Sequence, residues 1–424
     1  MKTGTLAALA GAAVVVGGVA WLVAGRDPAG GPAVVAGAGE PLLPALRRGD
    51  GEVAIGTVAV RAGNQTSTVR LKDGVWGVVE KGGYPAKEEM VRTAVRALAG
   101  LTIMEPKTSR PEMYAKIGVQ DPGDAPAEEG AEGPVSVTVS DPQGKQLAAV
   151  ILGTQRYGPP PQVFARRVGE TQSWLAEARA GQVNVPREPL GWVDRQVLNI
   201  GRQRVKSVIL THPDGESVMV SRGSTAQTNF AVSGVPEGRE LTSSAAGDQL
   251  GGWASYVTLE DVAPVDRADL TEEGGAEPGA TATFTMFDGL VVVAETMTVD
   301  GKMWARFEAL VDESVRPAPP AEGEPPAEPT LSSLDDVRKE AEELNKKLAG
   351  WAFQIPEYKA GTLRTRLEDL LKPAAEPEPA PVAGEAGESA VPAELGEAAE
   401  GGQVPEPAEA GEPAEAGAGA AGGE

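Results

Sequence analysis

Residues 69–106, VRLKDGVWGVVEKGGYPAKEEMVRTAVRALAGLTIMEP, decide the fold. The turn sequence KDG at 72–74 separates two apolar runs, a pattern that predicts a β-hairpin. After the YPA sequence at 84–86, apolar residues recur three and four positions apart, which predicts an amphipathic helix over 87–101 packed against the sheet. The run LTIMEP then predicts a further strand. The stretch therefore predicts a unit in which one helix covers a mainly antiparallel sheet.

The same order of features recurs about 150 residues later. Two strands around a PDG turn are predicted within VKSVILTHPDGESVMVSRG (205–223), Phe230 stands where Trp76 stood, and 241–253 corresponds to the helix. An ordered run of matches favours duplication over coincidence. We therefore predict an α+β protein with two related modules over 53–200 and 201–312, in which Trp76 and Phe230 occupy equivalent buried positions.

Helices, rather than strands, are predicted at the end of the first module and after the second. TQSWLAEA (171–178) and LGWVDRQVL (190–198) suggest short helices with Trp174 and Trp192 as buried anchors. A Pro/Glu-rich hinge is predicted over 313–331 and C-terminal helices over 332–372, the first capped by Ser333. Residues 373–424 contain twelve Glu and no other charged residue, which predicts a disordered tail.

The N-terminus predicts a membrane anchor. No charged side chain occurs from 3 to 25, and about 20 apolar helical residues suffice to cross a bilayer. We expect a transmembrane anchor over 1–26, in lipid contact through 5–24, and a Gly/Pro-rich linker over 27–52. A cleaved signal peptide is the alternative. Either way, the bulk of the chain is expected outside the cytoplasm, and the anchor would cross the membrane once.

Composition argues against several classes of function. The formal net charge of −23 disfavours nucleic-acid binding, and the lack of cysteine excludes disulfides and thiol chemistry. The one histidine, His212, lies in a predicted turn and is expected to be solvent-exposed. No catalytic, phosphate-binding or metal-binding signature occurs. We therefore expect no enzymatic activity, no cofactor and no metal.

Aromatic residues are rare except at 351–358. Trp351, Phe353 and Tyr358 cluster there, just after a charged helix. One interpretation is that they dock the C-terminal helices onto the second module. The other is a partner-binding patch, because aromatic residues dominate interface hot spots. We select these three residues as the candidate partner contact.

The sequence resembles the DUF4340 family of membrane-anchored bacterial proteins of unassigned function. The resemblance rests on Asp73, Gly74 and Trp76 in the strand pair, and on the motif formed by Tyr114, Ile117, Gly118 and Val119. The ending ELNKKLAGWAFQIPEYKAGTLRTRLEDLLKP is also similar to that group. The resemblance implies an association with ABC-type export systems of the gliding-motility kind.

These observations predict a membrane-anchored, extracytoplasmic accessory or scaffold protein with a protein partner in the envelope. Two alternatives remain open. A periplasmic module that binds a peptide or glycan requires a concave aromatic site, and a carboxylate-based hydrolase requires two acids held together in a pocket.

Overall fold

The computed structural model describes residues 37–47, 53–123, 133–315 and 331–373. The predicted anchor over 1–26, most of the predicted hinge and the predicted disordered tail from 374 onward lie outside these residues. Within the described ranges, none of the helices is long and apolar enough to cross a bilayer. Two antiparallel sheets dominate this part of the chain, so the expectation of mainly antiparallel sheets is confirmed, and few helices accompany them.

Nine antiparallel strands form the first sheet. They are β1 (Thr57–Ala62), β2 (Gln65–Lys72), β3 (Val75–Val78), β4 (Tyr84–Pro85), β5 (Leu101–Pro106), β6 (Val135–Ser140), β7 (Gln146–Arg156), β8 (Gln162–Arg167) and β9 (Ser173–Ala178). Their spatial order is β4-β3-β2-β1-β6-β7-β8-β9-β5. Helix α1 (Glu88–Ala99) leads into the edge strand β5 and buries Val91, Ala94 and Leu98. The prediction of an amphipathic helix after the hairpin is therefore confirmed.

Eight antiparallel strands form the second sheet. They are β11 (Val205–Thr211), β12 (Ser217–Ser221), β13 (Ala231–Val232), β15 (Asp261–Pro264), β16 (Glu277–Met286), β17 (Leu290–Val299), β18 (Lys302–Val311) and β19 (Trp351–Gln354). A small ribbon of β10 (Gln196–Leu198) and β14 (Val257–Thr258) accompanies them. The short helix α2 (Asp248–Gly251), α3 (Leu334–Leu348) and α4 (Glu357–Thr362) complete the described structure.

The two sheets have the same strand order. The second sheet runs β13-β12-β11-β16-β17-β18-β19-β15, which repeats the first from β3 to β5 when ten is subtracted from each number. Their registers also correspond. Val58 pairs with Val69 and Val69 with Val78, as Val208 pairs with Val220 and Val220 with Val232.

This register places Trp76 and Phe230 at equivalent positions, each two residues before the last of those valines. Phe230 is fully buried, whereas Trp76 is only half-buried. The expectation of equivalent positions therefore holds, and that of equal burial is wrong. The cause lies in the helices: α1 has twelve residues, whereas α2 has four and brings Gly251 directly against the Phe230 ring.

Two segments form strands that the local sequence did not predict. Residues 173–178 form β9, which pairs with both β8 and β5, so the helix predicted there is wrong. Residues 351–354, which lie between the two predicted C-terminal helices, form β19 between β18 and β15. Pairing on both sides satisfies the backbone of each segment, and this outweighs a weak local preference for helix. The short helix predicted over 190–198 is also wrong, because a 3₁₀ turn (Pro189–Trp192) is followed by strand β10. Of the two predicted anchors, Trp192 is fully buried and Trp174 is half-buried.

Helix α3 lies between strands β18 and β19 in the chain. Its predicted cap is present, because the Ser333 hydroxyl accepts a hydrogen bond of 3.1 Å from the Asp336 amide. Asn345 ties the helix to β18 by donating to the Ala309 carbonyl at 2.7 Å and accepting from its amide at 2.9 Å. The helix therefore packs against the second sheet at β18.

Residues 37–47, placed in the linker by the sequence analysis, belong to the folded body. Leu42, Leu43 and Leu46 are buried in the same core as α1 and the first sheet. The Leu42 amide donates to the Leu101 carbonyl and the Ile103 amide to the Glu40 carbonyl, both at 2.9 Å. This segment covers the free edge of β5, where unpaired strand groups would otherwise invite association.

Candidate interaction site

The three predicted contact residues have different surroundings. Phe353 has no exposed surface, Trp351 is half-buried, and Tyr358 is 67% exposed. Strand β19 lies between β18 and β15 in the interior of the sheet, and its Phe353 side chain belongs to the hydrophobic core. Only Tyr358 offers most of its ring to a partner in this fold.

Trp351 and Phe353 join the two sheets. The Tyr84 ring of β4 meets the Trp351 ring edge-on at 5.0 Å between centroids and the Phe353 ring at 6.0 Å. Phe307 of β18 lies 5.9 Å from Phe353 on the other side. Edge-to-face pairs at these separations contribute about 0.5–1.5 kcal/mol beyond their buried area. The aromatic cluster is thus an internal joint between β4 of the first sheet and β19 of the second.

The joint continues through the turn before β4. Lys81 forms an ion pair of 2.5 Å with Asp261 of β15. Gly82 has a φ of +67° and lies against Pro264 so closely that a Cβ would stand 2.5 Å from the proline ring. A glycine is required at this position both for the backbone conformation and for the close approach. The edges of the two sheets are therefore held together by the close Gly82–Pro264 packing and by the Lys81–Asp261 ion pair.

A small electrostatic network lies beside the joint. Burial opposes ionisation of Asp194, but its hydrogen bond from the Gln196 amide and the nearby Lys347 and Lys87 ammonium groups outweigh burial and lower its pKa. Those ammonium groups lie 3.4 and 3.5 Å away. Burial, together with the Asp194 charge, raises the pKa of Tyr84 to about 12. Tyr84 is therefore a neutral phenol that acts in packing.

Tyr358 has an exposed aromatic neighbour that the sequence did not single out. Tyr256 is 63% exposed and has a φ of +52°, a left-handed conformation that is uncommon for a bulky residue. The Lys359 ammonium donates to the Trp253 and Ser255 carbonyls at 2.6 and 2.8 Å. Since Tyr256 follows Ser255 and Tyr358 precedes Lys359, this clamp places the backbone segments that carry the two tyrosines next to each other.

The helix geometry of α4 supports this placement. Ala360 is buried, and Lys359 faces the loop that ends in Tyr256. At 3.6 residues per turn, Tyr358 lies about 100° from Lys359 and away from Ala360. The indole of Trp253 donates to the Lys359 carbonyl at 2.9 Å, which is a further hydrogen bond between this loop and the helix. We call Tyr256 and Tyr358 the tyrosine pair.

Two further expectations can be compared with the structure. His212 is 7% exposed, and its Nε2 lies 3.0 Å from the Thr365 carbonyl, so the expectation of a solvent-exposed turn residue is wrong. The C-terminal segment, which no local pattern connects to that turn, covers the imidazole. Across the described ranges, no group of three or more His, Asp or Glu side chains is placed to share a metal ion.

The motif shared with DUF4340 has a structural role. The Tyr114 hydroxyl donates to the Thr171 carbonyl at 2.5 Å, and the Arg166 guanidinium lies 4.6 Å from the Tyr114 ring centre. Gly118 ends the 3₁₀ turn Pro111–Ile117 with a φ of +69°. This turn covers the second face of the first sheet, where Val119 is fully buried.

The family model of DUF4340, a domain of unknown function, matches residues 76–266. This region is a DUF4340 domain. The resemblance indicated by the sequence is confirmed here, from β3 to just beyond β15. The DUF4340 match thus begins in the first sheet, ends in the second and contains Tyr84, Asp261 and Pro264 of the joint. No curated protein matches the chain.

Proposed function

We propose that this DUF4340 protein is a single-pass protein of the bacterial cytoplasmic membrane, whose folded body acts in the periplasm as an accessory or scaffold protein. Residues 5–24 would be its lipid contact, and a second envelope protein its partner. The uncharged stretch from 3 to 25 supports the anchor. An association with an ABC-type export system or gliding-type envelope system is what the family resemblance suggests.

The tyrosine pair is the observation that carries the contact function. Tyrosine is enriched at interface hot spots because it combines a large apolar ring with a polar tip and few rotatable bonds. Tyr256 and Tyr358 are both more than 60% exposed, although the rest of the aromatic cluster is used internally. The Lys359 clamp holds the backbone beside both rings, and a tyrosine side chain has only two χ angles to order on binding.

We also propose that the two sheets arose by duplication and now serve as one rigid platform. The shared strand order and register support the duplication. The joint through Tyr84 and Trp351 supports rigidity, because the two sheets contribute to one continuous hydrophobic core. Different strand orders in related DUF4340 proteins would argue against a duplicated unit.

Binding measurements on the tyrosine pair test the contact function. We expect Tyr256→Ser/Tyr358→Ser to retain the fold, since both side chains are exposed, and to weaken capture of a membrane partner by roughly 2 kcal/mol or more, about 30-fold. Tyr157→Ser is the matched control, because Tyr157 is 77% exposed on the β7–β8 loop of the other sheet. Undiminished capture by the double variant would refute the proposed surface.

Membrane extraction tests the anchor separately. Full-length protein is expected to remain with the membrane after a carbonate wash, with an intact N-terminus. A soluble chain that begins beyond residue 24 would show a cleaved signal peptide instead. The two experiments are independent, because partner capture can be measured whether or not the N-terminus is retained.

A further inference from the structure

A groove lies between helix α1 and the β2–β3 hairpin of the first sheet. Its volume is about 590 Å³, within the roughly 300–1,000 Å³ of most ligand sites. Val91, Val95 and Ala99 line one wall along about 12 Å of the helix axis. Leu71 and the half-buried Trp76 line the other wall. The groove is therefore long, and these two walls are apolar.

The second sheet provides an internal comparison. At the position equivalent to Trp76, the Phe230 ring fills the space against Gly251, where no Cβ could fit. At the position equivalent to Leu71, the buried Arg222 lies 4.5 Å from that ring and donates to the Val205 and Gln227 carbonyls. The equivalent space is thus closed in the second sheet and open in the first.

The polar groups at the groove are mostly cationic. Three arginines and one glutamate line it, namely Arg47, Arg92, Arg96 and Glu88, in a chain whose formal net charge is −23. Arg47 is fixed at the end of α1 by hydrogen bonds to the Ala99 carbonyl and the Thr102 hydroxyl, and Arg92 pairs with Glu88 at 2.5 Å. The Arg96 guanidinium has no hydrogen bond or ion pair to any described residue.

We propose that this groove binds a single-chain anionic amphiphile, with its alkyl chain between α1 and Trp76 and its carboxylate or phosphate at Arg96 and Arg47. The long apolar walls fit one extended chain. The Arg96 guanidinium, which has no partner among the described residues, would pair with the anionic head group. A neutral amphiphile would leave it unpaired. This site is separate from the tyrosine pair and does not depend on the proposed contact function.

The absence of cysteine allows a test in native membranes with the full-length chain. Val95→Cys introduces one thiol on the groove wall, and its rate of modification by N-ethylmaleimide reports whether the groove is occupied. Decanoate is the probe and decanol its neutral counterpart. We expect decanoate to slow modification at position 95 saturably and decanol to do so much less. Tyr157→Cys, exposed on another loop, should react at the same rate throughout.

A second variant assigns the charge. Arg96→Gln in the Val95→Cys background should raise the half-protecting decanoate concentration roughly threefold to tenfold, whereas Arg110→Gln, exposed outside the groove, should not change it. The absence of protection by decanoate, or equal protection by decanol, would overturn the proposal. So would protection produced only by added phosphatidylglycerol vesicles or by raising the protein concentration, which would indicate a bilayer or a second copy.

Discussion

Replacing Phe353 by alanine distinguishes an internal joint from a partner surface. Phe353 is fully buried in β19 and meets Tyr84 and Phe307 at about 6 Å between ring centres. Removing a buried phenylalanine ring costs about 3–5 kcal/mol, a large part of the roughly 5–15 kcal/mol that stabilises a typical folded protein. At about 2 °C per kcal/mol for a body of this size, the melting temperature should fall by roughly 6–10 °C.

The matched control is Tyr358→Ala, five residues away along the same cluster in the sequence. Because Tyr358 is 67% exposed, its removal should change the free energy of unfolding by less than about 0.5 kcal/mol. Thermal unfolding followed by tryptophan fluorescence measures both variants. Equal melting temperatures for the two variants, or a loss below about 1 kcal/mol for Phe353→Ala, would refute the assignment of Phe353 to the joint.

Three further predictions concern single positions. Unfolded tyrosine ionises near pH 10, whereas burial raises the pKa of folded Tyr84 to about 12. The wild type should therefore lose stability relative to Tyr84→Phe by about 1.4 kcal/mol per pH unit between about pH 10 and 12. Parallel pH profiles of the two proteins would contradict this. Gly118→Ala forces a left-handed alanine to within 3.2 Å of the Thr154 amide and should cost about 1–2 kcal/mol in chemical denaturation, more than Gly63→Ala, where the space is open. Arg222→Met leaves the buried Val205 carbonyl and several partly buried carbonyls without their donor, and it should destabilise the protein by at least about 2 kcal/mol. An unchanged urea midpoint would exclude that role.

The elements that the sequence predicts well are those made by local patterns. The KDG turn, the apolar spacing of α1 and the Ser333 cap each lie within a few residues, and each is present in the structure. The recurrence of these patterns about 150 residues later also indicated where a similar strand order occurs.

The elements that were missed depend on distant residues. β9 and β19 are strands because neighbours far along the chain pair with them on both sides, and neither shows a strict alternation of polar and apolar residues. His212 is buried because a segment about 150 residues later reaches its turn. Tyr256 escaped notice because nothing in its local sequence indicates either exposure or a positive φ.

Site-specific photo-crosslinking in intact membranes tests the proposed contact function most directly. A photoreactive amino acid at position 358 of the full-length chain should yield one discrete adduct with a membrane or periplasmic protein, and Tyr256→Ser should reduce its amount severalfold. The same group at position 157 should not yield that adduct. The absence of an adduct from 358, or the same adduct in equal amount from both positions, would contradict a contact surface at the tyrosine pair.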